Sequence, residues 1–332
     1  MLRRRMFASF SLIVGAFAIV VSSTLPVAAQ NNTNGGNALK VSPVRNDLEI
    51  KPGSSQTIDV YVQNMTKEPA KLKAIINDFV ANKDESGAPS IILDENKAAP
   101  SRSLKQYVTK IPDFTLQPNE NKNIKVTITI PITADAGGYF GAVRFAPASS
   151  DTNKTLSLSG SVGSLVLVRV PGDLKEQANI QSLDVRNKDN HANSLYTSSK
   201  DLHGTVRIEN TGNVQLQPFG KVQLKKSGKV LGIYEINNAQ PRGNVLPDSI
   251  RRFDFKLDNL GSFGKYTLEA NIGYGSTGQL LTKSTTFYIV PVPVMIIAGL
   301  ILLLVIFAIF VLPKMIKKYN QRVVAKATGK KK

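Results

Sequence analysis

NKNIKVTITIP, residues 121–131, places Ile124, Val126, Ile128 and Ile130 at every second position, with Asn, Lys and Thr between them. Period-two alternation closed by a proline is the pattern of a half-buried β-strand, one face in a core and one in water. SQTIDVYVQN (55–64) repeats it with Ile58, Val60 and Val62. HGTVRIEN (203–210) and RRFDFKLDN (251–259) repeat it again, the latter with Phe253, Phe255 and Leu257. Pro, Gly, Asn and Asp separate these runs throughout residues 38–290. Outside two apolar segments at the ends of the chain, no stretch shows convincing helical periodicity. The fold expected is therefore all-β.

The strands come in an order that is used twice. TIDVYVQNMTKEPAKLKA (57–74) and GTVRIENTGNVQLQPFG (204–220) each run strand, polar turn opened by Asn64 or Asn210, then a second alternating run. LQPNENKNIKVTITI and LPDSIRRFDFKL share a leucine–proline turn before a long strand. Two tandem Ig-like β-sandwiches are predicted, at 38–172 and 173–290, since strand number and turn spacing suit that architecture.

The ends carry membrane signals. MLRRRM, the apolar run Phe7–Val21 and SSTLPVAAQ have the three parts of a secretory signal peptide, predicted over residues 1–29 with cleavage after Ala29. NNTNGGN then reads as a spacer within 30–37. Met295–Leu312 is 18 residues without a charge. With its flanks (292–313) it is long enough to cross a hydrocarbon core as one helix. The tail 314–332 holds eight Lys/Arg and no acid. By the positive-inside rule it is cytoplasmic, and about residues 30–290 face outward.

This arrangement also disposes of the charge. The chain has 42 Lys/Arg against 24 Asp/Glu, a net +18. Three arginines at the start and eight basic residues at the end supply most of the excess; without these eleven, 31 basic residues face 24 acidic ones. That is a topology signal and not a nucleic-acid surface. The mild positive charge of the outer region favours anionic wall polymers.

Candidate chemistry is sparse. There is no Cys, hence no disulfide or thiol chemistry. His191 and His203 are the only histidines, a poor zinc set. LSLSGSVGS never spells a nucleophile elbow. Asp84-Glu85 and Asp94-Glu95 read as solvated loop acids. NIGYGSTGQLL (271–281) has the G-x-G-x-x-G spacing of a dinucleotide loop. QLLTKSTTFYIV follows it, β-branched and aromatic, where a helix is required. The glycines are read as a hairpin turn. Asn64-Met65-Thr66 fits a glycosylation acceptor, but it coincides with a turn. No catalytic residue, cofactor or metal is expected. GGYFGAVRFAP (137–147) is the one unusual strand: Gly permits close backbone approach, so Tyr139, Phe140 and Arg144 are the candidate partner-binding strand, set against a core-strand reading.

In plan, residues 38–320 resemble the bacterial WxL-interacting proteins. KVSPVRNDLEIKPGSSQTIDVYVQN (40–64), ADAGGYFGAVRF (134–145) and GSFGKYTLEANIGYG (261–275) are similar to that family's patches. The resemblance implies a peptidoglycan-binding first domain and a second domain that binds a partner or host protein; it assigns no individual residue. The function expected is a non-enzymatic, membrane-anchored cell-surface protein binding a wall polymer, peptidoglycan by the resemblance, or another surface protein. The alternatives are an accessory subunit of a secretion or sensing apparatus, and a cell-surface enzyme.

Overall fold

A computed structural model describes residues 38–148, 161–327 and 329. The predicted signal peptide and spacer lie outside the described residues, as does the loop expected over 149–155.

The alternating runs are strands. In the first half, β1 (Leu39–Ser42), β3 (Ser55–Asn64) and β7 (Asn121–Thr129) form a three-stranded sheet in the order β1-β3-β7. β2 (Arg45–Glu49), β9 (Val162–Val170), β8 (Gly137–Pro147), β4 (Ala70–Ala81) and β5 (Pro89–Ile91) form the facing sheet in that order. β6 (Phe114–Leu116) adds to β4. Ile58 lies opposite Val126, and Val60 opposite Ile124. Val60, Val126, Ile128 and Ile130 are fully buried. Each such side chain contributes about 1.5–3 kcal/mol of transfer free energy. They pack against Leu72, Val143, Phe145 and Val168 of the facing sheet, which closes the first core.

The second half repeats the plan. β10 (Ala178–Arg186), β12 (His203–Asn210) and β15 (Ser249–Lys256) form one sheet. β11 (Leu195–Tyr196), β17 (Gln279–Ile289), β16 (Gly264–Tyr274), β13 (Phe219–Lys226) and β14 (Lys229–Ile236) form the other. Val206, Ile208, Leu224, Tyr266, Leu268 and Phe287 fill the core between them, with Tyr266 and Phe287 stacked at 5.4 Å.

The two turn asparagines justify the internal repeat atom by atom. Asn64 is fully buried; its Nδ2 donates to the Glu68 carbonyl at 2.7 Å and its Oδ1 accepts from the Thr66 amide at 3.0 Å. Asn210 is equally buried; its Nδ2 donates to Val214 O at 2.8 Å and its Oδ1 accepts from the Gly212 amide at 2.9 Å. In each half an Asn side chain supplies the hydrogen bonds that backbone leaves open at the turn. The Asn64 side chain has no outward face for a glycan.

The glycine-rich motif is the β16–β17 hairpin. Gly275 and Gly278 have φ of +71° and +69°, a region that glycine enters without strain. No helix follows.

After Pro291 the chain forms α1 (Val292–Phe310), the one helix among the described residues long and apolar enough to cross a membrane. The basic tail is not structureless: α2 (Leu312–Ala327) occupies it. The expectation of no helical periodicity outside the apolar segments is corrected here. The apolar positions of the tail, Leu312, Met315, Ile316, Tyr319 and Val323, do follow a helical period; four interspersed charges, Lys314, Lys317, Lys318 and Arg322, mask it.

Candidate functional site

β8 is the strand that sequence singled out, and its pairing decides what it can do. β9 pairs along one side of it from Gly137 to Phe145 and β4 along the other from Gly141 to Pro147, so most of its backbone is paired on both sides. Ten of its eleven residues are buried. Tyr139, Val143 and Phe145 point into the first core. The Tyr139 hydroxyl donates to the Asp135 carbonyl at 3.0 Å, and burial pushes its phenol above the ordinary value. Arg144, on the opposite face, is 8% exposed. It donates to Asn77 Oδ1 at 3.1 Å and Ser161 Oγ at 2.8 Å, and burial lowers its guanidinium pKa. The strand thus does not present Tyr139, Phe140 and Arg144 together; Phe140 lines a cleft.

Phe140 lies 5.8 Å from Phe79, ring to ring, and both pack with Ala142, Leu167 and Leu246. Leu246 belongs to the second half. This small cluster is therefore apolar cement between the two halves of the chain. Polar contacts surround it. The Gly138 amide donates to Asn213 O at 2.8 Å. Arg45 donates to Arg242 O at 2.8 Å and to Asn244 Oδ1 at 3.2 Å. Arg207 grips Glu85 with two nitrogens, Nε to Oε2 at 2.7 Å, and the Arg252 amide donates to Glu85 O at 2.8 Å. The arginine holds the Glu85 carboxyl below its ordinary value. Glu85, expected to be a solvated loop acid, is instead a tether across the junction.

A second tether uses the glycine hairpin. Glu176, in the connection between the halves, accepts from the Ser276 amide and hydroxyl at 2.7 Å each, and from Arg169 Nη2 at 2.7 Å. Burial pushes the Glu176 carboxyl up, but the Ser276 and Arg169 hydrogen bonds outweigh it and the net shift is downward. A Cβ on Gly275 would sit 3.0 Å from Glu176 Oε2. The motif that spelled a nucleotide loop is spaced to let this carboxylate approach.

Two clefts flank the junction. One, of about 420 Å³, has Phe79, Phe140 and Leu246 at its apolar base, with Pro100 and Pro247 beside them. Asn82, Lys83, Arg102 and Asp248 supply its polar groups. Arg102 is steadied by a 2.9 Å hydrogen bond to Ala136 O. The other, of about 410 Å³, is more polar and includes Asp47, Glu49, Arg169, Glu176 and Arg242. Arg242 caps the Phe219 ring at 3.7 Å. The first cleft has the common make-up of a binding site, an apolar floor with a few convergent polar groups. Sequence reasoning reached Phe140 through its glycine-rich strand. It missed Lys83, Arg102 and Leu246, which carry no local signal. His191 and His203 lie in different parts of the second half, a turn and strand β12, and no cluster of three potential metal ligands occurs among the described residues.

Comparison with known proteins bears on what this arrangement serves. No curated protein matches the chain. Among solved structures, a chain from a chaperone–tip adhesin complex of CFA/I fimbriae is 16% identical over 76% of this chain and 99% of its own, with a TM-score of 0.38. The class 5 fimbriae chaperone CfaA is 17% identical over 76% and 100%, at 0.34, and the E. coli chaperone DraB 15% over 75% and 96%, at 0.30. Scores this low carry no argument. The family evidence is more direct: residues 46–147 match the family described as WxL Interacting Protein, peptidoglycan binding domain. That span runs from β2 to the end of β8 and contains Phe79, Lys83, Arg102 and Phe140 of the first cleft. Over this span, about a third of its length, the chain is similar to the WxL-interacting protein family.

Proposed function

We propose that the protein is a membrane-anchored, non-enzymatic surface protein that holds peptidoglycan in the junction cleft. In this reading residues 38–172 and 173–290 are tandem Ig-like sandwiches, residues 1–29 are a cleaved export signal, α1 is the single span and α2 is cytoplasmic. The observation that carries it is the family match over residues 46–147, which covers most of the cleft lining. Peptidoglycan offers short alkyl side chains and free carboxylates on its stem peptides. Phe79, Phe140 and Leu246 suit the first; Lys83 and Arg102 suit the second, as charge-assisted donors. The second half contributes Leu246–Ile250 to the same cleft.

The test is co-sedimentation of the detergent-solubilised chain with purified peptidoglycan stripped of other wall polymers. The wild type should pellet, and Lys83→Gln with Arg102→Gln together should release most of it while thermal unfolding stays cooperative. Full retention by the double variant would place the ligand elsewhere. No sedimentation of the wild type at any ionic strength would end the wall-binding reading.

A further inference from the structure

Over Leu312–Val323, α2 separates its residues onto two faces. Leu312, Met315, Ile316, Tyr319 and Val323 fall at i, i+3, i+4, i+7 and i+11, one stripe of the helix. These side chains are 42–68% exposed. Lys314, Lys317, Lys318 and Arg322 fall at i, i+3, i+4 and i+8 on the other side, with Gln321 among them. No Asp or Glu follows Glu269 in the sequence, so neither α1 nor α2 carries an acid to pair with these cations.

The position of α2 narrows the surface it fits. α1 is 19 residues long and apolar on every face, about 29 Å at 1.5 Å per residue, which matches one hydrocarbon core. α2 starts two residues after α1 ends. Between them Val311 departs from ideal helix at φ −101°, and Pro313 cannot donate a backbone bond to the preceding turn. The joint therefore lies at the depth where hydrocarbon gives way to headgroups, at a residue that permits a bend. A nucleic acid would satisfy the cations and leave the apolar stripe in water. The acyl–headgroup boundary of an anionic leaflet satisfies both faces at once.

We infer that α2 lies in the plane of the inner leaflet, its apolar stripe in the acyl boundary and its lysines and arginine on anionic phospholipid headgroups. This rests on reading α1 as a span with the tail inside. The helix would then fix the depth of the anchor and favour anionic lipid around it.

The chain has no tryptophan, so Tyr319→Trp installs a single reporter on the stripe. The full-length variant is reconstituted into symmetric vesicles of phosphatidylcholine alone or mixed with phosphatidylglycerol. In the mixed vesicles the emission should be blue-shifted, shielded from soluble acrylamide and quenched by lipids brominated on the acyl chain. Adding K314Q, K317Q, K318Q and R322Q should remove the dependence on phosphatidylglycerol. Aqueous emission in both vesicle types overturns the proposal, as does a blue shift that appears only on adding a cytosolic protein fraction. Equal burial with and without the four cations overturns its anionic part. Resistance of the chain to alkaline carbonate extraction reports the span alone: extraction sinks the reading of α1, whereas retention with an aqueous reporter sinks only the claim about α2.

Discussion

Glu176→Ala removes the carboxylate that ties the glycine hairpin to the first half of the chain. Three hydrogen bonds go with it, two from Ser276 and one from Arg169, all at 2.7 Å. The Glu176 side chain is 9% exposed, so water does not freely replace them. A hydrogen bond to a charged group is worth about 1.5–3 kcal/mol, and bonds sharing one acceptor do not add. Allowing for rehydration of Ser276 and Arg169 once the side chain is gone, the loss is about 2–4 kcal/mol. That shifts the docked-to-undocked ratio by roughly 30- to 1,000-fold. Native-state hydrogen exchange on the full-length chain in detergent reads this amide by amide. The Ser276 amide must exchange faster, since its acceptor is gone. The decisive amides are Gly138, bonded to Asn213 O, and Arg252, bonded to Glu85 O, which cross the same junction without touching Glu176. If the carboxylate holds the halves together, both should lose protection in parallel, with interior amides such as Val126 unaffected. If Ser276 alone accelerates, Glu176 merely orders its own hairpin and the argument for a coupled junction fails. Glu176→Gln keeps an acceptor without the charge and should fall between the two.

Acid should act on the same tethers. The Glu176 and Glu85 carboxyls are both held below their ordinary value of 4.5, so their contribution is complete above that pH and is lost as pH falls through the lowered values. Junction amides should therefore lose protection on acidification below about pH 4.5 before the cores unfold. Gly275→Ala should cost about 1–2 kcal/mol by thermal unfolding, from its positive φ and the Glu176 oxygen 3.0 Å from the new Cβ. Gly278→Ala, at similar φ with nothing nearby, should cost less and leave junction exchange unchanged. Asn64→Ala and Asn210→Ala should each destabilise by about 2–4 kcal/mol in denaturant unfolding, since each strands buried backbone groups at an equivalent turn. Phe140→Ala should cost about 3 kcal/mol or more and also weaken peptidoglycan co-sedimentation, whereas Tyr139→Phe, which loses only the bond to Asp135 O, should leave sedimentation intact.

The amino-acid sequence by itself determined the strands, because alternation is a local property. Ile124, Val126, Ile128 and Ile130 cannot all reach a core unless the chain is extended, and RRFDFKLDN obeys the same constraint. It determined the local part of the paired turns too, since Asn64 and Asn210 bond backbone groups within four residues of themselves; their further bonds, to Gln117 O and Val245 O, needed the fold. It determined α1, where apolar length is the whole signal. It also contained α2, but in a stripe diluted by charge and so easily passed over.

Only the tertiary structure decided what the two halves do to each other. Leu116 and Leu246 occupy matching leucine–proline turns, yet Leu116 fills its own core and Leu246 packs on Phe140 of the other half. Glu85 and Arg207 are 122 residues apart, and Glu176 and Ser276 are 100 apart. Nothing local distinguishes Glu85 from the solvated acids around it. Its role depends on docking two finished surfaces, and the free energy of that docking resides in pairs that no window of neighbouring residues contains. The same holds for the cleft: Lys83, Arg102, Phe140 and Leu246 become one surface only when the turn after β4, the loop after β5, β8 and the loop before β15 are brought together.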